Sequence, residues 1–208
     1  LLLEYLFLSS ETFGDGLRHA LRYVRLLSDS LSAKLDVQGE IATLTMGMSA
    51  DVPRHFPEML AGAVMRLFSA LTEGDFKPRE VRFMHAEGAP LARYEQVYGC
   101  PVRFAQPHYA LVFDAAVLAK ASRHAAPELL QMHESLARRQ LAEVERRVNA
   151  QIRANSAAEV STQPVPARPR SAATMASRWI RSLRMIAARY SDRTGATNEI
   201  AMVSATGI

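Results

Sequence analysis

Cysteine is nearly absent from this chain of 208 residues, and so are long apolar runs. The single cysteine, Cys100, excludes an internal disulfide framework and cannot alone anchor a cysteine-based zinc site. No window reaches the roughly 18 uninterrupted apolar residues of a membrane-spanning helix. The apolar start of the chain is interrupted by Glu4 and has no basic leader. We therefore expect a cytoplasmic protein without a membrane partner.

Motifs for catalysis and for metal or phosphate binding are also missing. The six histidines stand singly, without the spacing of a metal-binding pair, and the sequence has no glycine-rich phosphate loop. We therefore predict no enzymatic activity, no metal site and no cofactor. Cys100 lies between Gly99 and Pro101, which favours a small buried thiol at a helix-to-strand turn, with a redox sensor as the alternative.

Charge separates the chain into two parts. Residues 1–150 are close to neutral, so the formal net charge of +4 comes from the Arg-rich residues 151–208. Residues 156–174 have the Pro, Ser and Ala content of an unstructured linker, and Met175–Tyr190 has the pattern of a basic amphipathic helix. We predict a folded domain over residues 1–155 and a linker with a disordered basic tail over residues 156–208. Such a tail can bind DNA weakly through phosphates, but it is more often simply solvated.

Hydrophobic periodicity predicts a helix and a hairpin in the first part of the chain. A capping box formed by Thr12 and Asp15 opens an amphipathic helix over about residues 13–30. Segments 33–37 and 41–48 flank a Gln-Gly-Glu turn, and the second of them alternates apolar and polar residues. This pattern is typical of a β-hairpin whose strands are half buried.

The middle of the chain mixes helices and strands. A helix is expected from near Pro57 to about residue 74, and a strand follows over Glu80–His85. A short helix over Pro90–Tyr98 has Pro in its first turn and Gly at its end, the usual asymmetry. Val102–Phe104 and Tyr109–Phe113 are predicted as two further strands, which could pair as a hairpin.

A long helix is predicted over Pro127–Ala154, with apolar residues at steps of three and four. Its apolar stripe is expected to pack on its own domain, and a homodimer seam is the alternative. The predicted fold class is therefore α+β: helices packed against a small, mainly antiparallel sheet, then a long C-terminal helix and a disordered tail.

The segment from Val81 to Phe113 resembles a known family. A strand ending at His85 is followed by a short helix, by the string YGCPVRF at residues 98–104 and by YALVFD at residues 109–114. Together with LSSET at residues 8–12, this order resembles the arabinose-binding-like ligand-binding domain that precedes the DNA-binding domain of AraC-type transcription regulators. The resemblance covers residues 1 to about 155.

Two departures from the family pattern accompany this resemblance. The family domain has further helices before the position of Leu1, so we expect the domain to be truncated at its N-terminus. The family also continues into a DNA-binding region with two helix-turn-helix units, and no such sequence follows the long helix here. DNA is therefore a partner implied by the family, and specific DNA binding by this chain itself is not expected.

Aromatic and polar residues that could contact a small molecule cluster in the same segment. The predicted ligand-binding residues are Arg82, His85, Tyr94, Tyr98, Arg103, Phe104, His108 and Tyr109. Arg82 and Arg103 are candidates for binding a carboxylate, because a guanidinium can bind it through two hydrogen bonds. The alternative is that these residues are ordinary core and edge positions and that each arginine is paired with a surface acid.

The resemblance implies an effector-sensing domain, which binds a small molecule and controls transcription through an attached DNA-binding module. The alternative is a stand-alone or truncated ligand-binding or dimerisation module without specific DNA binding. Nothing in the residues names the effector.

Overall fold

The structure, a computed structural model, describes residues 2–28, 31–48 and 52–159. The long C-terminal helix runs to Glu159, into the segment predicted to begin the linker. The rest of the predicted linker, the basic helix predicted for Met175–Tyr190 and the predicted disordered tail lie outside the described residues.

A five-stranded sheet forms one layer of the domain. Its strands are β1 Ser32–Gln38, β2 Ile41–Gly47, β3 Pro78–Arg82, β4 Val102–Arg103 and β5 Tyr109–Asp114. The spatial order is β1-β2-β5-β3-β4, and all neighbours are antiparallel except β3 and β4. The predicted mainly antiparallel sheet is confirmed, as is the β1–β2 hairpin, in which Ala42, Leu44 and Met46 point to the buried face.

The hairpin suggested for the last two strands is wrong. β4 pairs in parallel with β3, whereas β5 lies between β2 and β3. The amide of Phe83 donates to the carbonyl of Arg103, and its own carbonyl accepts from the amide of Gln106. The chain therefore passes across the end of β3 and returns on its other side. Alternation along a strand shows which face is buried, but it does not determine which strands are neighbours.

Within the described residues, five α-helices accompany the sheet: α1 Leu2–Leu8, α2 Phe13–Arg22, α3 His55–Leu71, α4 Leu91–Tyr98 and α5 Pro127–Glu159. α1 was not predicted from its short apolar run. The other four lie where periodicity places them, although α2 is shorter than predicted. None of the helices within the described residues has the length and apolar character needed to cross a membrane.

α2 begins at the predicted capping box and ends early. The Thr12 hydroxyl accepts a hydrogen bond from the backbone amide of Asp15 at 3.1 Å and donates to the Asp15 carboxylate at 2.6 Å. The helix ends at Arg22, and a 3₁₀ turn follows over Val24–Leu26. The prediction of one helix to Ser30 was wrong here because apolar residues at three-residue steps also fit the period of a 3₁₀ helix.

The main core lies between α3 and the sheet. Leu60, Val64 and Phe68 of α3 are buried against the inward residues of β2 and β5. Phe68 meets Phe13 of α2 edge to face, with ring centroids 5.1 Å apart. This edge-to-face arrangement is one that aromatic pairs prefer.

A second, smaller core joins the two ends of the described chain. Leu6 of α1, Tyr23 and Ala137 of α5 are all buried in it. Arg22 also forms an ion pair with Glu134 of α5 at 3.2 Å. The apolar stripe of α5 therefore packs on its own domain over this stretch.

Candidate functional site

The predicted site residues of the middle segment form a cluster of rings. Tyr94 and Phe104 lie 4.8 Å apart between ring centroids, and His85 lies 5.6 Å from Phe104 and 6.3 Å from Tyr109. Phe83, which was not predicted, stacks on His85 at 5.0 Å. We call Phe83, His85, Tyr94, Tyr98, Phe104 and Tyr109 the ring cluster.

Glu58, at the start of α3, is the polar centre of the ring cluster. Its carboxylate accepts a hydrogen bond from Tyr94 at 3.0 Å, and its backbone carbonyl accepts one from Tyr98 at 2.8 Å. His85 Nε2 lies 3.6 Å from the same carboxylate. Burial and the bond to Glu58 raise the pKa of Tyr94, and burial raises that of Tyr98. Both hydroxyls are therefore protonated donors at neutral pH.

The two arginines lie apart from this centre. Arg82 and Arg103 each place Nε 2.5 Å from a carboxylate oxygen of Glu80. Burial acts to raise the pKa of Glu80, but the hydrogen bonds from Arg103 and Arg82 outweigh it, and the pKa is lowered. Arg103 is largely exposed, and so is His108. The arrangement matches the alternative in which both arginines are paired with an acid.

An apolar cavity of about 130 Å³ lies elsewhere, between α1, α2, α3 and the β1–β2 hairpin. Within the described chain, its wall contains none of the predicted site residues. The lining side chains are mostly leucines, with one carboxyl group among them: Leu3, Glu4, Phe7, Leu8, Leu17, Ala20, Leu21, Val24, Leu27, Leu31, Ala33, Leu44, Met46, Leu60, Val64, Leu67, Phe68 and Leu71.

A signal for this cavity is present in the sequence. Six lining residues, from Leu17 to Leu31, belong to the stripe that predicts the helix over residues 13–30. An apolar stripe predicts burial against the protein, and the same pattern arises when the stripe faces a cavity. Because the residues of α1 and α3 that form the opposite walls are distant in sequence, the stripe alone could not reveal the cavity.

α1 connects the cavity with α5. Leu3, Phe7 and Leu8 contribute to the cavity wall, whereas Leu6 is buried with Ala137 of α5. α1 also packs closely on α2, because a Cβ at Gly16 would lie 2.7 Å from the backbone oxygen of Phe7. One short helix thus forms both a wall of the cavity and the surface on which α5 lies.

The domain is of the α+β class, with an apolar cavity between its helices and the β1–β2 hairpin, and comparison with known proteins defines the family. The sequence model of one protein family, the N-terminal arabinose-binding domain of AraC transcription regulators, matches residues 1–121. The match covers more than half of the chain, and the chain belongs to this family. The resemblance read from the sequence is thereby confirmed.

A solved structure supports the fold. The transcriptional regulator CdpR from Pseudomonas aeruginosa is similar with a TM-score of 0.54 and 17% sequence identity. The match covers 95% of this chain and 64% of that one, so the chain spans less than two thirds of that regulator's length. A search of curated proteins found no match.

Proposed function

We propose that this chain is the effector-sensing domain of an AraC-type transcription regulator. A small molecule binds in the apolar cavity and controls transcription through an attached DNA-binding module in the bacterial cytoplasm. The observation that carries the proposal is the double role of α1, which lines the cavity on one side and supports α5 on the other.

Contacts between α1 and α5 support this route. The ring of Tyr5 stacks on His133 of α5 with centroids 5.1 Å apart. His133 Nδ1 also lies 3.5 Å from the hydroxyl of Ser9, just after α1. A displacement of α1 by a ligand therefore acts directly on α5, the last described element before the C-terminal part of the chain.

Effector control requires that the ligand bind two arrangements of the domain unequally. The cavity can provide this unequal binding, because several leucines of its wall, including Leu21 and Leu67, are only partly buried. A ligand that removes this apolar surface from water favours the arrangement in which the walls close on it. On α1, Phe7 packs against the main core and Leu3 against the smaller one, so a displacement of α1 affects both.

The ring cluster remains a second predicted contact surface for an effector. It is linked to the cavity through α3, which begins near Glu58 and contributes Leu60 and Val64 to the cavity wall. A ligand that changes the position of α3 would act on both the cavity and the ring cluster. The prediction that His85, Tyr94 or Phe104 contacts an effector is thus compatible with the cavity as the main site.

A fusion protein tests the proposal. The chain of 208 residues is joined to a heterologous DNA-binding domain, and a reporter gene is measured in cells supplied with a panel of metabolites. We expect one class of metabolite to change expression. His133→Ala should weaken the response while ligand binding is retained, because it removes the stacking on Tyr5.

Met132→Ala is the matched control, because Met132 precedes His133 on α5 and is 58% exposed. It should leave the response unchanged. A reporter that is indifferent to every metabolite that binds the chain would contradict the proposal and favour a stand-alone ligand-binding module.

A further inference from the structure

We infer that the cavity takes an uncharged, mainly apolar small molecule, such as a short aliphatic alcohol or a single aromatic ring, and neither a sugar nor a carboxylate. That the ligand acts as an effector rests on the proposed function. The chemistry of the ligand is inferred from the cavity wall alone.

The wall lacks partners for a sugar. Among the described residues that line the cavity, no side chain carries a hydroxyl, an amide or an imidazole, and Glu4 is the one polar side chain. A sugar presents several hydroxyls, and each one that is buried without a partner weakens binding by about tenfold. One carboxyl group cannot satisfy them all.

The wall is also unsuited to an anion. In the described part of the chain it contains no Lys or Arg that could pair with a ligand carboxylate. The side chain of Glu4, itself buried, would place a second carboxyl group in the same apolar space. Burial of an unpaired charge is far more unfavourable than burial of a hydroxyl. Arg82 and Arg103 are paired with Glu80 and do not line the cavity.

Size and exposure agree with a small apolar ligand. The cavity volume is about 130 Å³, and an engineered apolar cavity of roughly 150 Å³ stays dry and binds benzene. Leu21, Leu67 and Leu71 are only partly buried on this wall, so a ligand with one apolar end can extend between them. Removing their surface from water is the main driving force available to such a ligand.

The NMR signals of methionine methyl groups can detect ligand binding in the cavity, and the experiment uses the whole chain. Met46 lines the cavity, whereas Met84 and Met132 are 45% and 58% exposed and serve as internal controls. The 208-residue chain is labelled with ¹³C-methyl methionine and titrated with 1-hexanol, hexanoate and L-arabinose. Met46→Leu assigns the Met46 signal by its loss.

We expect 1-hexanol to shift the Met46 signal saturably and to leave Met84 and Met132 in place. Hexanoate should bind at least about tenfold more weakly, and arabinose should cause no shift. Val64→Phe, which fills the cavity, should abolish the shift by hexanol, whereas Val97→Phe on exposed α4 should not. If Val64→Phe does not fold, the titrations of the unaltered chain decide.

Other results overturn the inference. Saturable binding of arabinose, equal binding of hexanoate and hexanol, or no selective shift of Met46 would each do so. A different result would contradict the proposed function. Hexanol binding at Met46 without any response of the fusion reporter to apolar compounds would contradict sensing and leave the ligand chemistry in place. A reporter that responds only to a polar effector would contradict the ligand chemistry and leave sensing in place.

Discussion

Tyr94 on α4 donates a hydrogen bond to the carboxylate of Glu58 on α3, across 36 residues of sequence, at 3.0 Å. Tyr98, one helical turn further on, donates to the backbone carbonyl of the same residue at 2.8 Å. Residues at i and i+4 lie on one face of a helix, so α4 presents both hydroxyls to Glu58. The pair fixes α4 on the first turn of α3.

Removing the Tyr94 hydroxyl tests this attachment. Tyr94→Phe keeps the ring contact with Phe104 and deletes only the hydrogen bond. We expect the free energy of unfolding to fall by about 0.5–1.5 kcal/mol, the usual net contribution of such a bond. Urea denaturation measures the change. Val97→Ala, at a position 59% exposed on the same helix, is the control and should have little effect. Equal stability of Tyr94→Phe and the unaltered chain would show that the bond is not formed.

The ring cluster shows how far the sequence could predict the site. His85, Tyr94, Tyr98, Phe104 and Tyr109 come together as expected, because short connections between consecutive elements keep a local segment together. Glu58 could not be predicted, because nothing in its neighbourhood indicates that α4 packs on the start of α3. Long-range packing of this kind depends on the complete fold rather than on local periodicity.

The sheet and the cavity show the same limit. The β1–β2 hairpin follows from local alternation and a short turn, whereas the neighbours of β3 depend on where the chain crosses the end of that strand. The leucines at residues 17–31 predicted burial but not the empty space beside them. A hydrophobic pattern indicates which face of a helix or strand is shielded from water. It does not distinguish a filled core from a cavity.

Gly99 ends α4 in the left-handed conformation, with φ 66° and ψ 18°. A Cβ at this position would have nothing within 4 Å, so a substitution introduces conformational strain without a steric clash. We expect Gly99→Ala to lower the free energy of unfolding by about 1–2 kcal/mol, and Gly99→Asn to lower it less, since Asn tolerates this region better. Thermal and urea unfolding would reveal the order. A Gly99→Ala variant as stable as the original chain would contradict the assigned geometry.

Cys100 is buried, with 7% of its surface exposed, and burial together with the nearby Glu80 and Glu95 raises its pKa from 9.0 to about 11. Its thiolate fraction at neutral pH is therefore about a hundredfold lower than that of an ordinary thiol. We expect the native chain to react with a thiol reagent far more slowly than the chain unfolded in urea. Because this is the chain's only cysteine, a single rate is measured. Rapid reaction of the native chain would favour the redox-sensor alternative.

Arg103→Ala distinguishes the two interpretations of this arginine. Arg103 is 64% exposed and paired with Glu80, so its loss should reduce stability only slightly, because ion pairs in contact with solvent contribute little. The affinity for an effector in the cavity should not change, because the side chain does not contribute to the cavity wall. Calorimetry with a confirmed effector measures the affinity, and urea denaturation measures the stability. A marked loss of affinity with unchanged stability would instead place Arg103 in the binding site.

Glu80 should make stability depend on pH in the acid range. Hydrogen bonds from Arg103 and Arg82 lower its pKa below the usual 4.5 in the folded chain, despite partial burial. A group with a depressed pKa in the folded state stabilises the fold above its unfolded pKa, and this contribution is lost as pH falls through the folded pKa.

Glu80→Gln should therefore be less stable than the original chain at about pH 7, by about 1 kcal/mol or less because both arginines are exposed to solvent. The difference should shrink as pH falls through the lowered pKa of Glu80 in the folded chain, because the original side chain then becomes protonated as well. Glu87→Gln removes an exposed carboxyl group from the same region and provides the comparison. Urea denaturation across this pH range measures both variants, and a stability difference for Glu80→Gln that does not narrow at low pH would contradict the pairing of Glu80 with the two arginines.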